Sequence, residues 1–362
     1  MVDFARGTPV TGSLDVAWNH GMPGRRGERE PKIQVHYYDE HTVILRQSKS
    51  VHYEAPFMFL LFGNDRALLL DTGATADPER FPLRGKVDRL VAIWLAKNPR
   101  EGYELVVAHT HGHGDHVAAD GQFAGRAGTT VVPKDVAAVR SFFGFGDGWP
   151  ERTVTFDLGG RVLEVLGSPG HEEAAITVYD PWTGVLLTGD TVYPGRLYVS
   201  DSAAFLATIG RLVAFAATRP VTQLLGCHVE MTGRPGRDFP IGATYQPGEH
   251  ALHLAPAELT AVRDAAAAVA GRRGVHRFDD FIIYNEAGPG DQLRLMGRGL
   301  AHRLRLTRLP GSVIAGGRPA RTPGPARRKR TRAPATAARR GPPGPAPPGR
   351  GRTRAGPASA CG

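Results

Sequence analysis

Cysteine is nearly missing from this chain. Of its 362 residues only Cys227 and Cys361 carry a thiol. One stands in the body and the other is penultimate, so no disulfide framework is expected. Long apolar runs are missing too: none approaches the roughly 18 residues that a membrane span needs. The opening MVDFARGTPVTGSLDVAW lacks the apolar stretch of a secretory leader. A cytoplasmic protein with no membrane span is the expectation. Acidic residues vanish after Gly311, where twelve Arg or Lys stand without one Asp or Glu. The formal charge of +10 therefore belongs to the tail, because residues 1–310 hold 33 basic against 35 acidic side chains. That basicity says little about what the folded body binds. No specific nucleic-acid partner is expected, and the basic tail offers only non-specific contact.

What is present is a hydrophobic fraction of 41%, enough for a sizeable core. Residues 1–30 are rich in Gly, Pro and Arg and read as an irregular N-terminal arm. From Gln34 onward, β-branched and aromatic runs such as HTVILRQ and PFMFLLFG predict strands. KVDRLVAIWLAKN, KDVAAVRSFFG, SAAFLATIGRLVAFAAT and APAELTAVRDAAAAVAG have helical spacing. Strands joined by hairpins alternate with strands joined through helices, which predicts a layered α/β or α+β sandwich over residues 31–305. After 250 only one clear helix and one strand are legible. Residues 306–362 collapse to Arg, Pro, Ala and Gly and read as a disordered tail.

One stretch stands apart. AHTHGHGDHVAAD places four of the chain's fourteen histidines between His109 and His116. In extended backbone, residues two apart point the same way, so His111 and His113 can reach one ion together. Gly112 and Gly114 are read as removing bulk and letting the chain bend. Asp115 and His116, past the bend, can face a second ion, and His109 is assigned to packing or to a place behind the ligands. Imidazole with carboxylate suits zinc, and also iron or manganese. The cluster cannot complete two sites alone. Three further donors end strand-like runs: His171 in LGSPGHE, Asp190 in GVLLTGDT and His228 in LLGCHVE. The neighbouring Cys227 is read as a buried apolar residue.

HxHxDH followed by isolated His, Asp and His at strand ends resembles the metallo-β-lactamase-fold hydrolase superfamily. LLLDTGAT, SPGHEEAA and LLTGDTVY resemble its other motifs, and the likeness runs from about Phe57 to His228. It implies an α+β fold, a four-layer αββα sandwich with metals at one edge between two sheets. It implies two divalent ions, zinc before iron or manganese. His111, His113 and His171 would hold one ion; Asp115, His116 and His228 the other; Asp190 would bridge them. Asp71 and Thr110 would orient the ligands. A metal-bridging hydroxide would attack an ester, thioester or lactone carbonyl, with Asp115 relaying a proton and Tyr193 donating to the oxyanion. Arg196, Tyr198 and Tyr245 are expected to contact a small-molecule substrate. Glu230, Tyr245 and His250 lie in a Gly/Pro-rich segment, 229–253, read as a lid.

Rivals on the same residues are a phosphodiesterase and a non-catalytic metal-bound binding module. His113 stands where flavodiiron relatives carry Glu, which disfavours a redox role. The glutathione thioesterases of the family carry a helical C-terminal domain, and the single helix expected after 250 argues against that substrate.

Overall fold

The computed structural model describes residues 1–23 and 30–308. Alternation along the early strands explains how the layers form. In β2 (Thr42–Gln47) and β3 (Phe57–Phe62) every residue is buried, so both faces of the sheet must be covered. Ile44, Phe59 and Leu61 point into a core shared with a second sheet. Val43, Leu45, Met58 and Leu60 point the opposite way, toward the helix α1 (Leu83–Lys97). That helix offers Val87, Leu90, Val91 and Trp94, the helical-period residues of its sequence.

The first sheet runs in simple order from β1 (Ile33–Asp39) through β2, β3, β4 (Arg66–Leu70) and β5 (Glu104–Ala108) to β6 (Thr129–Val131). Its first four strands are antiparallel neighbours; β5 and β6 are added in parallel. After β5 comes α2 (Gly114–Val117), one turn long, and after β6 comes α3 (Val136–Phe143), capped by Asp135. The second sheet contains β7 (Thr153–Asp157), β8 (Val162–Gly167), β9 (Ile176–Asp180), β10 (Val185–Gly189), β12 (Gln223–Gly226) and β13 (His253–Leu254). Val165, Val178, Leu187 and Leu225 face the first sheet. Leu166, Tyr179, Leu186 and Leu224 face α4 (Ser202–Ala216) and α5 (Glu258–Val269). Helix, sheet, sheet and helices make the αββα sandwich, an α+β fold.

A three-stranded sheet joins β11 (Arg196–Val199), β15 (Ile282–Asn285) and β14 (Gly274–Arg277). The chain then enters α6 (Pro289–Arg308), whose first residue is proline, a suitable helix opener. Among the described residues after 250 there are thus two helices and three strands, where one of each was expected. The glycines at 290, 297 and 299 and the arginine-rich composition hide α6 from a periodicity reading. This helix also runs three residues into the segment read as tail; the rest of that segment lies outside the described residues. The arm packs by Phe4, which is buried edge-on against Trp182. Among the described residues, no helix is long and apolar enough to cross a membrane.

Candidate metal centre

Seven donors reach one edge of the sandwich because the strands of both sheets stop there. The first sheet delivers four from the loop after β5. His113 is extended, at φ −70° and ψ 153°, and α2 begins at the next residue, so the chain turns between His113 and Asp115. The flanking glycines are not what permits this. Neither Gly112 nor Gly114 has a positive φ, and a Cβ would meet ordinary contact at one and open space at the other. The glycines that matter precede the later donors. Gly189, at φ +53°, stands before Asp190, and a Cβ there would lie 2.6 Å from the Thr110 side chain. Gly170, at φ +134°, stands before His171, and a Cβ there would strike the Phe205 backbone at 2.5 Å.

The donors fall into two groups. His111 Nε2 and His113 Nδ1 are 3.0 Å apart, and His171 Nε2 lies 3.2 and 3.0 Å from them. Beside them, His116 Nε2 and His228 Nε2 are 3.3 Å apart, with Asp115 Oδ2 3.4 and 3.2 Å from each. Asp190 lies between. Its Oδ2 is 3.6 Å from His116 Nε2 and 3.9 Å from His171 Nε2, while Oδ1 is 3.6 Å from His228 Nε2. Both groups could hold a metal ion.

The fit is chemical as well as geometric. Zinc–nitrogen bonds near 2.05 Å would set tetrahedral edges at about 3.3 Å, close to the three nitrogen separations of the first group. Three imidazole nitrogens facing one another, on the buried rings of His111 and His171 and the exposed ring of His113, cannot all be satisfied by each other's protons. Asp190 Oδ1 is buried with no hydrogen-bond donor of its own, an orphaned acceptor that a cation would satisfy.

Groups behind the donors fix which nitrogen faces inward. His116 Nδ1 donates to Asp71 Oδ2 at 3.0 Å, and His171 Nδ1 donates to the Tyr198 carbonyl at 2.7 Å. Each leaves Nε2 to the centre. Asp71 is fully buried at φ +70° and does more. Its Oδ1 accepts from the Thr110 amide at 2.7 Å, and its Oδ2 from the Thr110 hydroxyl at 2.9 Å. Cys227 Sγ is 3.2 Å from the same Oδ2, so this buried thiol is a donor to Asp71 and not merely apolar filling. His109 sits 3.1 Å from Asp120.

The electrostatics follow from burial and crowding. Burial alone would lower the pKa of His228, but Asp190 and Asp115 outweigh it and push it up to about 9. His116 is likewise held well above its ordinary value: burial opposes this, and Asp71 and Asp190 win. Desolvation and neighbouring imidazoles push His111 the other way. Burial would raise the carboxyls of Asp115 and Asp190, yet the adjacent histidines lower both. An anionic pair of carboxylates inside a histidine cage is a strong cation receptor.

The expected substrate contacts fare unevenly. Tyr193 lines the cavity over the donors, and its hydroxyl donates to the Arg196 carbonyl and lies 3.3 Å from Glu230. Arg196 is enclosed, pairing with Glu230, with Asp238 at 3.0 Å and with the Tyr198 hydroxyl at 3.0 Å. Tyr198 does line the cavity over the donors, with Glu230. Tyr245 pairs with Gly21 of the arm and packs near His20, and is not among the lining residues. The segment 229–253 is pinned by the buried Arg46–Glu249 pair and by bridges from Met231 to Asp238 and Thr232 to Glu249. His250 lies 3.4 Å from Asp280, outside the cavity lining. Sequence reasoning missed Tyr53, Glu54 and Ile241, which line the same cavity. The Glu54 contact to His228 Nδ1 runs through a backbone carbonyl at 3.4 Å, which leaves no mark on residue type.

Comparison with known proteins bears on this geometry. The sequence model of the metallo-beta-lactamase superfamily matches residues 54–271. A hydroxyacylglutathione hydrolase of Rhizobium meliloti is 29% identical over 155 residues, 40% of this chain and 54% of that protein. One from Thermosynechococcus vestitus is 32% identical over 151 residues, 39% of this chain and 53% of that protein. The chain thus spans about half the length of the curated relatives it matches. Among solved structures, a metallo-beta-lactamase from Pontibacter korlensis aligns with a TM-score of 0.43 at 18% identity, covering 65% of this chain and 99% of that one.

Proposed function

The chain belongs to the metallo-beta-lactamase superfamily, and from that premise we propose that it is a metal-dependent thioester hydrolase with two divalent ions. The observation that carries the reading is the pair of donor groups joined by Asp190. The thioester is preferred over an ester or lactone because the curated relatives are named for hydrolysing one. Glutathione as the thiol is not carried over from relatives matched over about half their length.

His111, His113 and His171 would hold one ion and Asp115, His116 and His228 the other, with Asp190 shared. Bound there, the ions would supply Lewis acidity and ionise water near neutral pH. Asp71 and Thr110 hold the ligand loops in register, so the donors keep their tautomers through the cycle. Tyr198, Glu54 and Glu230 form the cavity wall against which the substrate lies. The water oxygen bonds to the thioester carbonyl carbon and the carbon–sulfur bond breaks. Asp115, about one-fifth exposed at that wall, accepts the water's proton and passes it to the departing sulfur. The products are a thiol and a carboxylic acid, which ionises.

The test is elemental analysis of wild type and His113→Ala, with thioester, ester, lactone and phosphodiester substrates assayed with and without chelator. About two ions per wild-type chain, fewer in the variant, and chelator-sensitive thioester turnover are expected. A wild type with no metal or with one, and no turnover, would overturn the reading.

A further inference from the structure

The cavity over the donors does not stand alone. It shares Tyr53 and Ile241 with a second cavity of about 350 Å³. That second space is walled by Leu293, Met296 and Leu300 of α6, with Arg303 the single charged residue of its lining. The three apolar residues are spaced three and four apart, so they share one helix face. They are also exposed: 75% for Leu293 and 59% for both Met296 and Leu300. Large apolar side chains left in water beside a reactive site mark a place where something apolar binds. On the other side, the donor cavity shares His113, His171 and Tyr198 with a third space of about 400 Å³. There the walls carry more polar groups, Ser200, Arg273, Glu286 and Gln292, beside Val199, Tyr284 and Ala287.

The donors therefore stand between an apolar arm and a polar arm, and α6 borders both, through Met296 on one side and Gln292 on the other. We propose that the substrate is a thioester with an aliphatic acyl chain, its chain lying along the Leu293–Met296–Leu300 face of α6 and its thiol in the polar arm. The proposal rests on the thioester reading. The acyl side is given the apolar arm because a thiol carrier that must stay dissolved brings amide and charged groups, which suit Arg273, Glu286 and Gln292. The fit to this geometry is a scissile carbonyl in the donor cavity, which opens to the apolar arm at Tyr53 and Ile241 and to the polar arm at His113 and His171. Hydrolysis then adds the water oxygen to the acyl carbon and releases the thiol with a proton, leaving the fatty carboxylate in the apolar arm.

Two series on the metal-loaded full chain test this. The first titrates straight-chain carboxylates from acetate to decanoate by calorimetry, which needs no turnover. The second measures kcat/KM for thioesters of one small polar thiol, from acetyl to decanoyl, with acetyl thioesters of alkanethiols as the converse set. Affinity and kcat/KM should rise roughly fourfold per methylene until the cleft is full. The slope should collapse in Met296→Asp and Leu300→Asp, exposed positions at which thermal unfolding should be unchanged. A flat series, or a slope seen only with the alkanethiol set, would overturn the proposal. So would variants that dissolve a dimer in sedimentation yet keep the chain-length slope, because the face would then belong to a second copy. If carboxylates bind with the expected slope while no thioester is turned over, the apolar arm stands and the thioester reading falls.

Discussion

At the scale of single residues, Asp71 carries more than its place outside both donor groups suggests. One buried carboxylate holds the Thr110 loop, His116 and Cys227, and Cys227 precedes His228. Asp71→Asn should keep the fold but lower metal affinity by about ten- to a hundredfold, read by competition with a chromophoric chelator. Unchanged affinity would show that the loops hold themselves. Asp238 is the other residue of this kind. Burial would raise its carboxyl, but Arg298, Arg277 and Arg196 outweigh it and bring it from 3.8 to about 2. A depressed carboxyl stabilises the fold fully above its unfolded value near 4 and stops doing so as pH falls through 2. That contribution is on the order of 2 kcal/mol. Asp238→Asn should therefore lower stability at pH 7 by about 2–4 kcal/mol, since Arg196 is left buried without that partner. The gap from wild type should narrow in urea titrations between pH 4 and pH 2, and a constant gap would assign the loss to packing alone.

At the scale of elements, legibility followed the kind of signal. Strands such as β2 and β3, and helices such as α1 and α4, announce themselves because burial on two faces demands unbroken apolar runs or a helical stripe. The donor loops were readable for a different reason: His and Asp at strand ends have few other uses at that density. The glycines were misread. Those inside the histidine cluster attract the eye, yet Gly170 and Gly189 are the ones whose backbone conformations place a donor. Gly189→Ala should cost at least about 1 kcal/mol and reduce metal content, because the added methyl pushes against Thr110 and so against Asp71. Full metal content in a stable variant would refute that coupling. Strand β11 went unseen because RLYV follows a Pro-Gly turn and pairs only with β15, which lies more than eighty residues downstream. Helix α6 was invisible because glycines and arginines interrupt its apolar stripe, which is split between Leu295, packed with Met231, Ile282 and Tyr284, and Leu293, Met296 and Leu300, which face a cavity. Arg196 was read as a substrate contact from its nearness to Asp190, but its pairs with Glu230 and Asp238 set it behind the wall, whereas Tyr193 stands in the cavity lining.

At the scale of the whole molecule, the donors divide by sheet. His111, His113, Asp115 and His116 come from the first, and His171, Asp190 and His228 from the second. Ions shared between them would tie the halves of the sandwich at one edge, and ligand binding to the folded state alone raises stability by mass action. Chelation should therefore lower Tm by several degrees at neutral pH, measured by calorimetry before and after adding zinc back. An unchanged Tm would mean that the centre is a passenger on an independently stable frame. The same division has a consequence for the protein's lifetime. An edge held shut by ions opens first when they leave, and an opened sheet edge is where a protease begins. A cell short of metal would then lose the chains themselves as well as their chemistry, and abundance would track metal supply without any change in synthesis.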